Sequence, residues 1–229
     1  MFPAQSDYAR PNTTLRRGVF LTSLTFIIVI LLYAFAESIP VALSWENGVF
    51  ENLQVLLLSI GALWALGRWV SSSSPHSRGL WLIVMLLWIV LVMRELSWGA
   101  VFYTPLAHSD LSGPTFSSTA QLWYKPLVTP ILVLIMVFCT WLFIRTRQYE
   151  TLVELWRRGD FPLIESVLII ITMTLSAAAE GHLGLSLDLS KGAYQVFEEG
   201  LEVWSYSLLL VMQRRVIRGT TDVVSANMH

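Results

Sequence analysis

The chain has one cysteine, Cys139, among 229 residues, and only four histidines. A single cysteine excludes an intramolecular disulfide and a metal cluster built from cysteines. On the topology derived below, His76 falls on the cytoplasmic side and His229 is terminal. Only His108 and His182 then face outward, so a zinc site of three histidines is excluded as well.

Charge is also scarce. Charged residues make up 14% of the chain and hydrophobic residues 55%, whereas a soluble domain carries about 25% charged residues. The net charge of −1 gives no indication of a nucleic-acid partner. The sequence contains no phosphate-binding glycine loop, no Rossmann fingerprint, no two-histidine zinc motif and no nucleophile elbow.

Long apolar stretches are present instead. Five of them run 17 to 23 residues with almost no charge, and a sixth is apolar but begins with acidic residues. A helix rises about 1.5 Å per residue, so about 20 apolar residues cross the ~30 Å hydrocarbon layer. We therefore predict an all-α, polytopic membrane bundle that forms one domain over residues 1–229. Its six predicted transmembrane helices lie near Val19–Ala36, Phe50–Trp69, Leu80–Leu96, Leu122–Ile144, Leu163–Ala179 and Val196–Met212.

The distribution of basic residues predicts the orientation of this bundle. With six spans, 12 of the 15 basic residues fall on one side of the membrane, and Lys125, Lys191 and Arg94 lie on or near the other. Basic residues are retained on the cytoplasmic side. We therefore expect a multi-pass protein of the bacterial inner membrane with both termini in the cytoplasm.

The segment between the fourth and fifth spans, residues 148–156, is amphipathic. Tyr149, Leu152 and Trp156 approximate one helical face, whereas Glu150 and Glu154 are polar. The pattern suits an interfacial helix on the inner leaflet, and a solvated helix between spans is the alternative.

Acidic residues, in contrast, collect at the outer ends of the predicted spans. An ionised carboxylate in hydrocarbon costs about 2.5 kcal/mol or more, so such groups face the bundle interior or water. Carboxylates that lie close together cannot all remain ionised without a cation. Arg94 is the only permanent cation at that depth, so a buried Arg94–carboxylate pair is the simplest prediction. Glu165, in the first turn of the fifth span, is expected to be structural because the helix dipole favours an anion there.

We predict that the outer groups form a polar, acid-rich pocket that opens outward. The candidate catalytic residues are Glu95, Glu202 and His182, and the candidate substrate-binding residues are Glu51, Gln54, Arg94, Trp98, Glu198 and Tyr206. Glu180 completes the pocket, and Trp45, Trp98 and Trp204 are expected at its rim.

Several interpretations of these acids remain open. They can be solvated groups that cap helices in the head-group zone. They can serve a metal-assisted hydrolase or transferase that acts on membrane lipid, because carboxylates with one histidine suit a divalent metal ion. They can form the relay of an ion- or proton-coupled carrier of small solutes. A structural subunit of a membrane complex is a further alternative. The leading hypothesis is a small membrane-embedded enzyme or binding protein for a lipid or lipid-linked head group.

Three patches carry a resemblance to a family. They are Glu46-Asn47-Gly48-Val49-Phe50-Glu51, Arg94-Glu95-Leu96-Ser97-Trp98-Gly99 and Glu198-Glu199-Gly200-Leu201-Glu202. In order and position the chain resembles a group of uncharacterised bacterial polytopic inner-membrane proteins, which implies the same fold and brings no established activity. Arg94 and Asn47 stand where that group has acids, which favours an internal ion pair over a multi-carboxylate metal site.

A second resemblance concerns Trp45-Glu46-Asn47 followed by Glu51-Asn52. This stretch is similar to the calcium-binding start of alkaline ceramidases, which are membrane hydrolases with three histidines on a zinc ion. The chain lacks the matching His-x-x-x-His, so the resemblance does not extend to ceramidase activity.

Overall fold

The computed structural model describes residues 11–109, 113–181 and 188–226, and it describes side chains within residues 15–109, 113–181 and 188–220. This part of the chain is almost entirely helical, which confirms the all-α class. A two-stranded antiparallel hairpin, β1 (Ala107–Ser109) with β2 (Gly113–Thr115), is the exception. The helices are α1 (Pro11–Phe35), α2 (Val49–Ser71), α3 (Pro75–Glu95), α4 (Ser118–Gln121), α5 (Lys125–Arg145), α6 (Gln148–Arg157), α7 (Leu163–Ala179) and α8 (Lys191–Ala226).

In the described ranges, four helices are long and apolar enough to cross a membrane. The stretches that meet this criterion lie in α1, α2, α3 and α5 and correspond to the first four predicted spans: Leu15–Phe35, Val49–Ser71, Pro75–Glu95 and Lys125–Arg145. Each has 21 to 23 residues, which is about the length that the hydrocarbon layer requires.

The fifth and sixth predicted spans are helical but differ from the others. α7 has 17 residues, so it extends about 26 Å. α8 has 36 residues, but its predicted span begins with Glu198, Glu199 and Glu202, which makes that stretch more charged than a typical span. Helices therefore occupy all six predicted positions, and four of them have the length and composition of a membrane span.

α8 lies at the centre of the packing. It contacts α7, α2 and α1, while α3 packs along α2 and α5 packs on α3. Glycines allow two of these approaches, as is common between membrane helices. A Cβ at Gly61 of α2 would lie 2.5 Å from Cε2 of Trp88 in α3, and a Cβ at Gly200 of α8 would lie 2.6 Å from Leu32 of α1. The backbones can approach because no side chain intervenes.

Loops and short helices cover the end of the bundle that the sequence predicts to face outward; we call it the outer end and the opposite one the inner end. Glu46, in the connection between α1 and α2, accepts hydrogen bonds from the Phe116 amide at 2.8 Å and from the Ser97 hydroxyl at 3.3 Å. The neighbouring Trp45 packs edge to face on His108 of the hairpin, with ring centroids 5.5 Å apart. One carboxylate therefore joins three connections and fixes them above α2 and α3.

α6 lies at the inner end, at the position predicted for the amphipathic segment. Its apolar side chains Tyr149, Leu152, Val153 and Trp156 are exposed, whereas Leu155 is buried. The helix is tied to α3 by His76, whose ring nitrogens lie 2.7 Å from the Thr146 carbonyl and 2.6 Å from the Thr151 hydroxyl.

Candidate functional site

The predicted acids of α3 and α8 meet at the outer end of the bundle. The Tyr206 hydroxyl donates a hydrogen bond to Oε1 of Glu95 at 2.7 Å. Nη1 of Arg94 lies 3.7 Å from the same Glu95 oxygen, and Nη2 lies 3.7 Å from Oε1 of Glu202. Nη1 of Arg94 also donates to the Tyr206 hydroxyl at 3.4 Å. We call these four residues the outer cluster.

The outer cluster is buried on one side and open on the other. Tyr206 and Glu95 are buried, and the side chain of Glu202 is 13% exposed. The side chain of Arg94 is 54% exposed, so the prediction of a buried arginine pair was wrong in that respect. Arg94 lies in the last turn of α3, where an arginine side chain can reach the membrane surface. The guanidinium thus bridges two carboxylates and remains about half exposed.

α7 contributes to the same region. The Ser176 hydroxyl lies 3.5 Å from Oε1 of Glu202. One turn deeper, the hydroxyls of Thr172 and Ser205 are 2.7 Å apart, and both residues are buried. Sequence analysis missed Ser176 because a single serine in an apolar helix carries no functional signal.

α2 provides a second branch of the site. The Nε2 of Gln54 donates to Oε2 of Glu199 at 2.7 Å, and Gln54 is fully buried. Its Oε1 has no hydrogen-bond partner among the described atoms. Glu199 was not among the predicted site residues. Its position three residues before Glu202, near the same helix face, was a signal in the sequence that could have identified it.

Glu51 has a local structural contact. Its Oε2 accepts a hydrogen bond from the Asn47 amide at 2.5 Å. Glu51 is the third residue of α2, so the contact satisfies an amide just ahead of the helix, as the glutamate of a capping box does. Glu51 therefore stabilises the first turn of α2. It lies beside the outer cluster and is not part of it.

Other predicted residues lie around the outer cluster. Trp98 has a left-handed backbone (φ 59°), and its ring lies 5.6 Å from Nζ of Lys125. The indole of Trp204 donates to Thr25 of α1 at 3.1 Å, so this residue joins α1 to α8 instead of standing at a rim. Glu198 is half-buried one turn before Glu202, and Glu180 is exposed at the end of α7. The predicted catalytic His182 lies outside the described residues.

The donor set for a metal ion is limited. Within the described ranges, no three or more histidine, cysteine, aspartate or glutamate side chains are grouped so that they could hold a metal ion. The carboxylates of Glu95 and Glu202 instead face Arg94, and that of Glu199 faces Gln54. A divalent cofactor remains a prediction.

A second charged group lies at the inner end. Glu165 of α7 is fully buried and contacts Nη2 of Arg17 at 3.0 Å and Nη1 of Arg215 at 3.2 Å. Arg215 also donates to the Gly159 carbonyl at 2.9 Å. One carboxylate thereby joins α1, α7 and α8. The role of Glu165 is therefore structural, but it acts through two arginines that the argument from the helix dipole did not predict.

Apolar side chains separate the two charged groups along α8. The buried residues Leu21, Leu168 and Leu208 pack together between them, from α1, α7 and α8. On the other side of α8, Gln213 donates to the Gly61 carbonyl at 3.2 Å and accepts from the Trp88 indole.

Comparison with known proteins adds no relative: no protein-family model, no curated protein and no solved structure matches this chain.

Proposed function

We propose that the chain is an integral membrane protein whose outer cluster binds the head group of a lipid or lipid-linked molecule, either as a small membrane enzyme or as a binding protein. The observation that carries this proposal is the position of Arg94. Its guanidinium is half-exposed and shared by Glu95 and Glu202 at the outer end of the bundle. Polar groups at membrane depth are costly and mark functional sites.

The side chains have different roles in this proposal. Glu95 is buried and held by Tyr206 at 2.7 Å, so it orients the guanidinium of Arg94. Glu202 is more accessible and accepts from Ser176, so it is the group that can contact a ligand directly. In an enzyme, a carboxylate in that position would transfer a proton to or from the substrate.

The proposed setting is a six-span bundle in a bacterial inner membrane with both termini in the cytoplasm. The positions of the six helices support the bundle, and the collection of most basic residues on one side of the predicted spans supports the orientation. The test is cysteine labelling with a membrane-impermeant maleimide in whole cells, on a Cys139→Ala background. Ser38→Cys should react from outside and Ser73→Cys only after permeabilisation. The opposite pattern would reverse the orientation.

A proton-coupled carrier is the second candidate. Polar contacts follow α8 inward from the outer cluster through Thr172–Ser205 to Glu165–Arg215, as a relay would require. The layer of Leu21, Leu168 and Leu208 interrupts this series. We therefore rank the carrier below the head-group site.

Analysis of co-purified lipid tests the proposed function. The protein is extracted in a mild detergent, and the lipid retained per protein is measured by mass spectrometry. We expect near-stoichiometric retention in the unaltered protein and at least a fivefold loss in Glu202→Gln. The matched control is Glu150→Gln on α6, where the side chain is exposed at the inner end. Equal lipid retention in all three proteins would overturn the proposal.

A further inference from the structure

An apolar groove lies between α3 and α8. It has a volume of 370 Å³, and its walls include Leu87, Leu91, Leu209, Met212 and Val216. From Trp81 to Leu91 it follows α3 for ten residues, or about 15 Å. This is half of the ~30 Å hydrocarbon layer, a length that one acyl chain can fill.

The surface of the groove is apolar apart from buried polar groups, and one of them, the indole Nε1 of Trp81, has no hydrogen-bond partner among the described atoms and is not exposed. Gln213 also lies there, but its amide is already hydrogen-bonded to the Trp88 indole and the Gly61 carbonyl. The side-chain amide of Gln213 therefore already has hydrogen-bond partners within the protein, as a buried polar group requires. The occupant that fits this groove is therefore an apolar chain.

The walls of the groove end at the outer cluster. On α3, Leu87 and Leu91 precede Arg94 by seven and three residues, so all three share one helix face. On α8, Leu209 follows Tyr206 by three residues and Glu202 by seven. Because α3 rises toward the outer end and α8 descends from it, the contact between Arg94 and Glu202 joins the two helices beyond Leu91 and Leu209, the lining residues nearest to it in sequence. We call this end of the groove its mouth.

The mouth contains more acceptors than donors. Around Arg94 stand the carboxylates of Glu95 and Glu202, with Glu198 half-buried one turn away. The buried Oε1 of Gln54, in the adjoining branch of the site, has no partner among the described atoms. Close carboxylates favour a further cation, and an unsatisfied buried acceptor favours a hydrogen-bond donor. A ligand with an ammonium group supplies both.

We propose that the groove and the outer cluster form one binding site for a zwitterionic phospholipid whose head group carries a primary ammonium. The acyl chain lies between α3 and α8, the ammonium faces the carboxylates of Glu202 and Glu198, and the phosphate contacts Arg94. This inference rests on the proposed head-group site and specifies its ligand class.

Photo-crosslinking tests this assignment. The purified full-length protein is mixed with a phosphatidylethanolamine that carries a diazirine on its acyl chain. The same probe with a phosphatidylglycerol head group lacks the ammonium, and the phosphatidylcholine probe keeps the positive charge but has no N–H donor. We expect crosslinks in α3 and α8, at least tenfold more from the ethanolamine probe than from the glycerol probe, and intermediate labelling by the choline probe.

A groove-filling variant provides the second arm. Leu209→Trp should reduce labelling by the ethanolamine probe at least fivefold. The matched control is Leu134→Trp on α5, where the side chain is 67% exposed and does not line the groove. The comparison of head groups uses the unaltered protein, so it remains decisive even where Leu209→Trp fails to fold.

The outcomes separate this inference from the proposed function. Equal labelling by the ethanolamine and glycerol probes, or crosslinks outside α3 and α8, overturns the inference. When lipid retention still falls in Glu202→Gln, the head-group site survives that result and only its ligand class is wrong. When retention is also unchanged, both proposals fail.

Discussion

The hydroxyl of Tyr206 donates to Oε1 of Glu95 at 2.7 Å, and both residues are buried. This hydrogen bond joins the last turn of α3 to the middle of α8, which are 111 residues apart in sequence. It fixes the carboxylate against which Arg94 is positioned. The site therefore depends on a contact between two helices that are distant in the chain.

Removal of this hydroxyl should destabilise the bundle. We expect Tyr206→Phe to lower the free energy of unfolding by about 1–3 kcal/mol, because Glu95 is left as a buried acceptor without its neutral donor. Reversible unfolding in mixed micelles provides the measurement. Tyr103→Phe, in the exposed outer connection, is the control and should change little. Equal stability of the Tyr206 variant and the unaltered protein would contradict the assigned contact.

Loss of Glu165 should have a larger effect. Glu165→Gln leaves Arg215 buried and Arg17 partly buried without their carboxylate, and removal of one partner of a buried ion pair costs about 3–5 kcal/mol. Glu150→Gln removes only the exposed contact with Arg147 and should cost less than about 1 kcal/mol. The midpoints of thermal unfolding of the two variants are compared. Similar midpoints would refute the structural role of Glu165.

Two glycines of α2 should respond to alanine with opposite signs. In Gly61→Ala the new Cβ would lie 2.5 Å from the Trp88 ring, and overpacking of this kind costs about 1–3 kcal/mol. At Gly67 no atom lies within 4 Å, so Gly67→Ala should be neutral or stabilise the helix by up to about 1 kcal/mol. The two variants are compared in one unfolding assay. A stabilised Gly61→Ala would mean that α2 and α3 do not pack as described.

Glu37 should make the outer end sensitive to pH. Hydrogen bonds from the Ser190 amide (2.6 Å) and then from its hydroxyl (2.8 Å) lower the pKa of the Glu37 carboxyl. The resulting stability is present above the usual carboxyl pKa and is lost as pH falls through the lowered pKa of the folded state. The free energy of unfolding, measured between about pH 6 and pH 3, shows this loss of stability. In Glu37→Gln the acid-side slope should be shallower, and an unchanged slope would argue against the contact.

The exposed apolar face of α6 should lie in the inner leaflet. Val153 is 46% exposed beside Trp156 at 61%, and amphipathic helices bury such faces in the interface. We expect a nitroxide at Val153→Cys to be relaxed mainly by oxygen, and one at Glu150→Cys mainly by a water-soluble nickel complex, both on a Cys139→Ala background. Equal access of the nickel complex to both labels would indicate a solvated helix instead.

The positions of the helices could be predicted from the sequence with few errors. Long apolar runs are unambiguous because an unbroken helix is the form in which a backbone satisfies its hydrogen bonds in hydrocarbon. The fifth predicted span has the same bounds as α7, Leu163–Ala179, whereas the length of α8 was less predictable. α8 continues to Ala226, well beyond the predicted end at Met212, because no proline or helix-ending turn follows the apolar stretch.

The candidate site was only partly predictable. Sequence spacing correctly grouped Arg94 and Glu95 with Glu202 and Tyr206, because both pairs were expected toward the outer ends of the third and sixth predicted spans. It did not reveal that Glu199 turns toward Gln54 while Glu202 turns toward Arg94. Three residues separate these carboxylates, and both lie near one helix face, so their partners depend on the helices that flank α8.

The sequence by itself determined that the chain forms apolar helices and that most of its carboxylates lie at one end of them, because hydrophobic length and the cost of charge in hydrocarbon act locally along the chain. Only the tertiary structure decided which carboxylate faces Arg94 and which residues line the groove beneath it. Those choices follow from the rotation of α8 against its neighbours, which contacts such as Leu32 on Gly200 and Trp88 on Gly61 hold in place. Such contacts join residues more than 25 positions apart, so no local pattern in the sequence encodes them.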